Sequence, residues 1–343
     1  MSSETSNGSQ RPVIESLHPP SAISGGDLEI RGTGLGTAES GQPTVRFGDS
    51  VGRLVVGGSK RVVVKVPDEA EEGPMTVESA GVESAPHPCA VGLSIAQNLH
   101  PVGNPAVDAD GVIYTTRSGA RGEKVPVSVF KIDLNFNIRP LVSDIVNPTG
   151  LLVDHDGKLL ISGRNNGTIY SVDAGGSIEI YAEGMGVASG IAMDHAGNLF
   201  VGDRTGTIFK ISPDRQIFVF ATLEPSISAY HLAMSPDQNL YVTGPTTSSF
   251  DNIYRISPNG DVDVFFRGLG RPQGMAFDVS GDLFVTASYR GRKGIFRITP
   301  EGHPTQVLSG PGIVGLAFLP SRELVVATTD SLFRVSTSGW IDA

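Results

Sequence analysis

Short runs of alternating apolar and polar residues follow one another along the chain, and Gly, Pro, Asp or Ser separates them. In the N-terminal part these runs cover residues 27–31, 44–47, 53–56, 61–66 and 75–78. Apolar side chains at every second position are typical of strands with one face on a core. About six such strands, with no competing helical periodicity, predict a β-sandwich over residues 11–91.

The rest of the chain, residues 92–343, repeats a pattern of four strands. An apolar strand that ends near an Asp, as at 189–194, is followed by further strands such as 199–201, 208–211 and 217–220. The unit recurs six times at intervals of about 40 residues. Four strands per period are typical of a propeller blade, so the sequence predicts an all-β chain whose second part is a six-bladed β-propeller.

The ends of the repeat predict how the ring closes. The last unit reaches residues 340–343 without a full fourth strand, whereas residues 93–99 resemble the fourth strand of other units. We therefore expect strand 93–99 to complete the last blade, because an open propeller would leave an unpaired edge. This places the domain boundary near 86–92, at the Pro-His-Pro of residues 86–88, and leaves residues 1–10 as a polar, disordered tail.

The N-terminal sandwich resembles the IPT/TIG family of immunoglobulin-like domains. The matching pieces are residues 12–20, 25–36, 45–48, 64–67 and 73–77, and the most specific is the glycine-rich piece 25–36. The resemblance implies an interaction or spacer module without catalytic residues. Two alternatives stay open: the domain stabilises the propeller by packing, or it binds a partner.

The repeats resemble NHL-type propellers and the senescence-marker/gluconolactonase superfamily, most clearly in residues 190–203, which read Gly-x-x-x-Asp-x-x-Gly-Asn-Leu-Phe-Val-x-Asp. Lactonase-like members bind one divalent cation through a Glu and several Asn or Asp residues at the strand-entry loops. The resemblance implies that a cation site in this chain would lie at the same loops. Thr149 and Ser189 stand where those enzymes place Asn or Asp, and Val314 offers no ligand. Asn104 and Asp203 remain as weak candidates for Ca²⁺ or another divalent cation.

Ligands of propellers lie over the central channel, near the loops that enter the innermost strands and those that join second and third strands. Several arginines and few carboxylates occupy these positions, which favours a polar or anionic ligand over a metal. Of the histidines, His155 and His195 fall in hairpin turns, and only His231 lies at an entry position. The candidate ligand-binding residues are Asn104, Arg117, Arg164, Asp203, Arg204, Tyr230, His231, Gln273, Tyr289 and Arg290.

Two acidic stretches, residues 108–111 and 154–157, look like the start of a calcium loop but lack its later ligands. Both lie between two predicted strands of a hairpin, where Asp and Gly are suitable turn residues. The pattern favours turns at both places.

Charge and composition limit the classes of partner that the chain can bind. A formal net charge of −10 without a basic stripe excludes a nucleic-acid ligand, and no apolar run approaches the length needed for membrane insertion. The single cysteine, Cys89, cannot form an intramolecular disulfide. The polar N-terminus lacks the features of a signal peptide, which indicates the cytoplasm, whereas the domain types favour an exported or cell-surface protein; both alternatives stay open.

These observations predict a non-catalytic binding or scaffold protein whose channel face takes a small polar molecule, a glycan or a peptide. The alternative is a metal-dependent lactonase or other hydrolase of the gluconolactonase type, using Asn104, Asp203 and His231. A third interpretation is a fragment of a surface sensor. The degenerate metal positions favour the binding protein without excluding an enzyme.

Overall fold

The computed structural model describes residues 11–36, 41–119 and 123–340, so the tail predicted over 1–10 lies outside the described residues. Every regular element in these ranges is a β-strand, which confirms the all-β fold class. The chain divides into two compact units. The first unit contains residues 1–93, 306–311 and 335–343, and the second contains residues 94–305 and 312–334.

Nothing in the described ranges forms a helix long and apolar enough to cross a membrane.

The first unit contains two sheets that enclose one core. Its strands are β1 (Val13–His18), β2 (Ser21–Ala22), β3 (Asp27–Thr33), β4 (Thr44–Phe47), β5 (Ser50–Val51), β6 (Arg53–Val56), β7 (Arg61–Lys65), β8 (Gly73–Ser79), β9 (Val82–Glu83) and β10 (His87–Val91). One sheet has the order β1-β3-β7-β6, and the other contains β2-β10-β8-β4-β5 with β9 on β8. Alternate residues of each strand fill the core, as Val62 and Val64 of β7 meet Met75 and Val77 of β8.

The segment predicted to mark the domain boundary, residues 86–88, runs into a strand of the first unit. In β10, His87 lies opposite Met75 of β8, and Ala90 pairs in parallel with Ser21 of β2. The first unit continues to Leu93 because these ladder hydrogen bonds hold β10 in its sheet.

Distant parts of the chain complete the first unit. Leu308 lies opposite Ser21 in a short parallel pairing, and the amide of Ile23 donates to the carbonyl of Ser309 at 3.0 Å. The indole Nε1 of buried Trp340 donates to the hydroxyl of Ser21 at 2.6 Å.

The second unit is built from four-stranded antiparallel sheets that follow one another along the chain. Its strands are β11 (Leu93–Ala96), β12 (Ala106–Val107), β13 (Ile113–Thr116), β14 (Val129–Ile132), β15 (Ile138–Val142), β16 (Pro148–Val153), β17 (Leu159–Gly163), β18 (Thr168–Val172), β19 (Ile178–Ala182), β20 (Ala188–Met193), β21 (Leu199–Asp203), β22 (Thr207–Ile211), β23 (Ile217–Thr222), β24 (His231–Met234), β25 (Leu240–Thr243), β26 (Asp251–Ile256), β27 (Val262–Leu269), β28 (Met275–Phe277), β29 (Leu283–Tyr289), β30 (Arg292–Ile298), β31 (Pro304–Ser309), β32 (Ile313–Phe318), β33 (Leu324–Thr328) and β34 (Leu332–Val335). The last residues of β31 and β34 and the first of β11 belong to the first unit.

Within the second unit, the sheets have the orders β12-β13-β14-β15, β16-β17-β18-β19, β20-β21-β22-β23 and β24-β25-β26-β27. Strands β28, β29 and β30 form a further antiparallel ladder, and β11-β34-β33-β32 form another sheet. The first strands contact one another in the order β12, β16, β20, β24, β28 and β32, and β32 contacts β12. These inner strands therefore surround a common axis.

Acidic side chains form the hairpin turns between first and second strands, as predicted. Asp154 Oδ1 accepts hydrogen bonds from the amides of Asp156 at 3.0 Å and Lys158 at 2.8 Å. Asp108 Oδ1 does the same with the amides of Asp110 and Val112. These carboxylates cap turns and do not form calcium loops.

Candidate functional site

One position of the repeat lies where neighbouring inner strands approach each other closely. In every repeat, the hairpin turn begins at a residue whose amide donates to the carbonyl of the residue four positions later. The closely packed position lies four residues before this first turn residue. Glycine occupies this position at Gly150, Gly190, Gly274 and Gly315. A Cβ on Gly190 would lie 2.6 Å from the carbonyl oxygen of Tyr230, and one on Gly315 would lie 2.2 Å from that of Gly103. The inner strands thus approach too closely for a side chain there.

Two repeats have a different residue at this position: Asn104 in one and His231 in the other. Both polar atoms of the Asn104 side chain have hydrogen-bond partners inside the protein. Its Nδ2 donates to the carbonyl of Met275 at 2.7 Å, and its Oδ1 accepts from the amide of Leu316 at 3.1 Å. Asn104 therefore links β28 and β32 to the strand that follows it.

His231 is buried, with 8% of its surface exposed. Neither ring nitrogen has a hydrogen-bond partner among residues 11–36, 41–119 and 123–340. Burial lowers the pKa of the imidazole to about 4, because the charged form loses its hydration. The ring is therefore neutral at pH 7, with one N–H donor and one acceptor nitrogen.

Two adjoining cavities open along the axis, and His231 and Thr149 line both. The larger, which we call the mouth cavity, has a volume of about 500 Å³; the smaller has about 30 Å³. The described residues around the mouth cavity are polar or small and include no Asp or Glu. They are His100, Pro101, Val102, Ser118, Gly119, Asn147, Thr149, Arg164, Ser228, Ala229, His231, Gln273, Val314 and Thr329.

The structure brings together only part of the predicted ligand set. Arg164, His231 and Gln273 line the mouth cavity, whereas Asn104 and Tyr230 line the smaller one. Five other predicted residues are not among the described residues that line either cavity: Arg117, Asp203, Arg204, Tyr289 and Arg290.

Tyr230 has a structural role in the described contacts. Its hydroxyl donates to the carbonyl of Glu224, and burial raises the pKa of the phenol far above its ordinary value. Its amide donates to the hydroxyl of Ser189 at 3.0 Å, and that hydroxyl donates to the carbonyl of Gly202 at 2.9 Å. The Ser189 side chain therefore joins β20 to the backbone of Tyr230, just before β24, and the Tyr230 hydroxyl ties its own ring to the loop at Glu224.

The predicted metal candidates do not fit a metal. Asp203 Oδ1 accepts from the amide of Val187 at 2.8 Å, and its Oδ2 accepts from the hydroxyl of Thr205. The oxygen of Asn104 accepts the amide of Leu316. Within the described ranges, no three His, Cys, Asp or Glu side chains cluster as metal ligands would.

Several mouth residues were not singled out in the sequence, among them His100, Ser118 and Asn147. Asn147 precedes the entry residue Thr149 by two positions, so a search just upstream of each entry residue would have found it. Ser118 follows the predicted Arg117 directly. Side chains of neighbouring residues in extended chain point to opposite sides, which makes a difference of one position decisive.

The IPT/TIG domain family matches residues 12–86. No curated protein matches the sequence significantly.

Solved structures resemble the chain in fold at low sequence identity. A gluconolactonase from Xanthomonas campestris is 16% identical, with 72% of this chain and 89% of that chain covered and a TM-score of 0.57. A virginiamycin B lyase from Staphylococcus aureus is 16% identical, with coverages of 70% and 96% and a TM-score of 0.51. An auxiliary nutrient binding protein from Bacteroides thetaiotaomicron is 12% identical, with coverages of 95% and 98% and a TM-score of 0.57. The chain thus contains an IPT/TIG domain at residues 12–86 and a propeller-like fold.

Proposed function

We propose that this chain is a non-catalytic binding protein that holds a small polar ligand in the mouth cavity. The observation that carries the proposal is His231, which replaces a glycine of the repeat and presents to that cavity an imidazole that has no hydrogen-bond partner among the described residues. A hydrogen bond between neutral groups contributes a net free energy of about 0.5–1.5 kcal/mol. A ligand hydroxyl, carbonyl or carboxylate that meets the ring can form such a bond without displacing a described protein partner, so His231 is suited to ligand recognition.

The chemistry of the mouth cavity defines the ligand class. A volume of about 500 Å³ lies in the range typical of small-molecule sites. The neutral imidazole offers one donor and one acceptor, the amides of Asn147 and Gln273 offer both, and Arg164 contributes a positive charge. With no carboxylate on the described walls, the site favours an oxygen-rich ligand that is neutral or anionic.

We further propose that the second unit is a six-bladed propeller of the NHL type and that strand 93–99 completes its last blade. The cyclic contacts of the inner strands from β12 to β32 and back support the count. The position of β11 beside β34 supports the closure.

The extent of the structural likeness supports a binding function more than a catalytic one. The nutrient binding protein resembles 95% of this chain, whereas the gluconolactonase resembles 72%. The lactonase alternative also needs free oxygen ligands, and the oxygens of Asn104 and Asp203 accept hydrogen bonds from the protein. When chelator-treated protein is melted with Ca²⁺, Mg²⁺, Mn²⁺ or Zn²⁺, we expect no saturable rise in the melting temperature. Such a rise would restore the lactonase alternative.

The binding proposal is tested with a panel of monosaccharides, uronic acids, short glycans and peptides, using thermal melts and then isothermal titration calorimetry. His231→Gly restores the residue found in other repeats, so this variant should fold. We expect it to lose at least tenfold in affinity for any panel member that wild type binds.

The matched control is His155→Ala, which removes an exposed histidine from a hairpin turn. It should leave the affinity unchanged. A panel member that binds equally well to wild type and His231→Gly would contradict the proposed site.

A further inference from the structure

We propose that a basic rim beside the mouth cavity extends the site to an anionic oligosaccharide, a chain of sugars that carry carboxylates. The basic rim consists of Arg267, Arg271 and Arg290, with Arg292 and Lys293 following along β30. The inference rests on the proposed function, because the first sugar of such a chain lies in the mouth cavity.

Backbone pairing brings the rim residues together. The amide of Gly270 donates to the carbonyl of Ser288 at 2.7 Å, and the amide of Ser288 donates back at 2.9 Å. This antiparallel bridge sets the end of β27, with Arg267 and Arg271 on either side of Gly270, along the end of β29. Arg290 follows two residues after Ser288, in the tight turn that places Tyr289 opposite Arg292. The backbones of two separate chain segments that carry these cations thus lie side by side.

The local charge is opposite to that of the whole chain, whose formal net charge is −10. All five cations are exposed, and neither residues 264–277 nor residues 283–299 contain an Asp or a Glu. Asp251 lies opposite Leu269 but is buried, and its Oδ1 accepts from the amide and hydroxyl of Thr246. A concentrated positive surface on an acidic protein attracts an anionic ligand.

Aromatic rings among the cations favour a sugar chain over an acidic peptide. Phe250, which directly precedes β26, is 67% exposed. Tyr289 is held edge-on by Phe266 and Phe296, both at 5.8 Å between ring centres, and the guanidinium of Arg290 lies 5.1 Å from the Tyr289 ring. A pyranose ring can stack its apolar face on an aromatic ring while its carboxylate pairs with a guanidinium.

The rim is continuous with the mouth cavity. Gln273, which lines the cavity, follows Arg271 by two residues, so their backbones are no more than about 7 Å apart. The amide of Gln273 donates to the carbonyl of Thr286 at 2.9 Å, which fixes this connection. A ligand anchored at His231 and Gln273 therefore continues over Arg271 towards Arg290.

The test compares two probes on the full chain by calorimetry at low and at physiological salt: galacturonic acid, which fits the mouth cavity alone, and hexagalacturonate, which also reaches the rim. We expect the hexamer to bind wild type at least tenfold more tightly than the monomer, with the advantage shrinking as salt rises. The combined variant Arg267→Gln, Arg271→Gln and Arg290→Gln should lose about tenfold for the hexamer and nothing for the monomer.

The control variant carries Lys60→Gln, Arg139→Gln and Lys158→Gln, which removes as many exposed cations away from the rim. It should bind both probes as wild type does, and thermal melts should show both combined variants folded. Equal weakening by the rim and control variants would overturn the rim, as would a hexamer that binds no more tightly than the monomer or a failure of both probes to bind.

Two further outcomes separate this inference from the proposed function. If the rim variant weakens the hexamer while His231→Gly changes neither probe, the rim stands and the mouth site is wrong. If poly-glutamate of equal charge competes as well as hexagalacturonate, the rim is a general polyanion surface and the assignment to a sugar chain is overturned.

Discussion

Asn104 and His231 occupy the same position in two different repeats, where the other repeats have glycine. Asn104 meets a backbone carbonyl and a backbone amide, at 2.7 Å and 3.1 Å, and its amide is satisfied. His231 is buried beside a cavity, and in the described part of the chain its ring meets no such group. The replacement of glycine therefore has a different consequence at each position: Asn104 holds inner strands together, whereas His231 is available to a ligand.

In the other repeats, the inner strands leave no room for a side chain at this position. Gly190→Ala would place a Cβ against the carbonyl of Tyr230 and the Cα of His231, both backbone atoms. We expect a loss of about 3 kcal/mol or more in the free energy of unfolding, measured by urea denaturation. Gly175→Ala, at an exposed turn glycine, should cost less than about 1 kcal/mol. Similar effects of the two substitutions would show that the inner strands are not tightly apposed.

The structural role of Asn104 predicts the next largest effect. Asn104→Ala leaves the carbonyl of Met275 and the amide of Leu316 without their partner, which should cost about 2 kcal/mol of unfolding free energy. Asn165→Ala, at an exposed loop residue, is the control and should be neutral. A stable Asn104→Ala variant with impaired ligand binding would reverse the roles assigned to Asn104 and His231.

Glu29 of the first unit is also a buried titratable group but, in contrast to His231, it has charged partners. Arg61 and Arg31 donate to its carboxylate at 3.0 Å and 2.8 Å, and these contacts, led by Arg61, lower its pKa to about 2. A lowered pKa stabilises the fold above the ordinary value of 4.5, and that stabilisation is lost as the pH falls towards 2.

We therefore expect Glu29→Gln to cost about 1–2 kcal/mol at pH 7 and to reduce the loss of stability between pH 4.5 and 2. Denaturation followed across this pH range measures both effects. Glu71→Gln, at an exposed glutamate, should change neither, and an unchanged acid transition in Glu29→Gln would contradict the assignment.

The fold was predictable because its signals are local. Strand β4 matches the predicted run 44–47, and β22 matches 208–211, since both are apolar segments bounded by turn residues. The turn role of Asp154 was also predictable, because its partners lie two and four residues away. The pairing of β10 with β2 was not, because Ser21 lies far from β10 in sequence.

The candidate site was predictable only in part, for the same physical reason. Asn104 looked like a ligand residue, but its partners are 171 and 212 residues away in the chain. Asp203 looked like a metal ligand, but Val187 and Thr205 already use its oxygens. His231 could be selected at a channel entry; the absence of a partner in the described residues follows only from the three-dimensional contacts.

The most direct test of the account is the titration of the His231 imidazole, followed by ¹⁵N NMR on histidine-labelled protein with His231→Gly for assignment. We expect the ring to stay neutral down to a pH near 4 and its nitrogen shifts to change when a ligand of the mouth cavity is added. Because the pKa is below its ordinary value of 6.5, wild type should also lose stability from pH 6.5 to 4, and His231→Gly should lose less. A ring that titrates near 6.5, or whose nitrogens ignore every ligand that binds, would contradict the central claim.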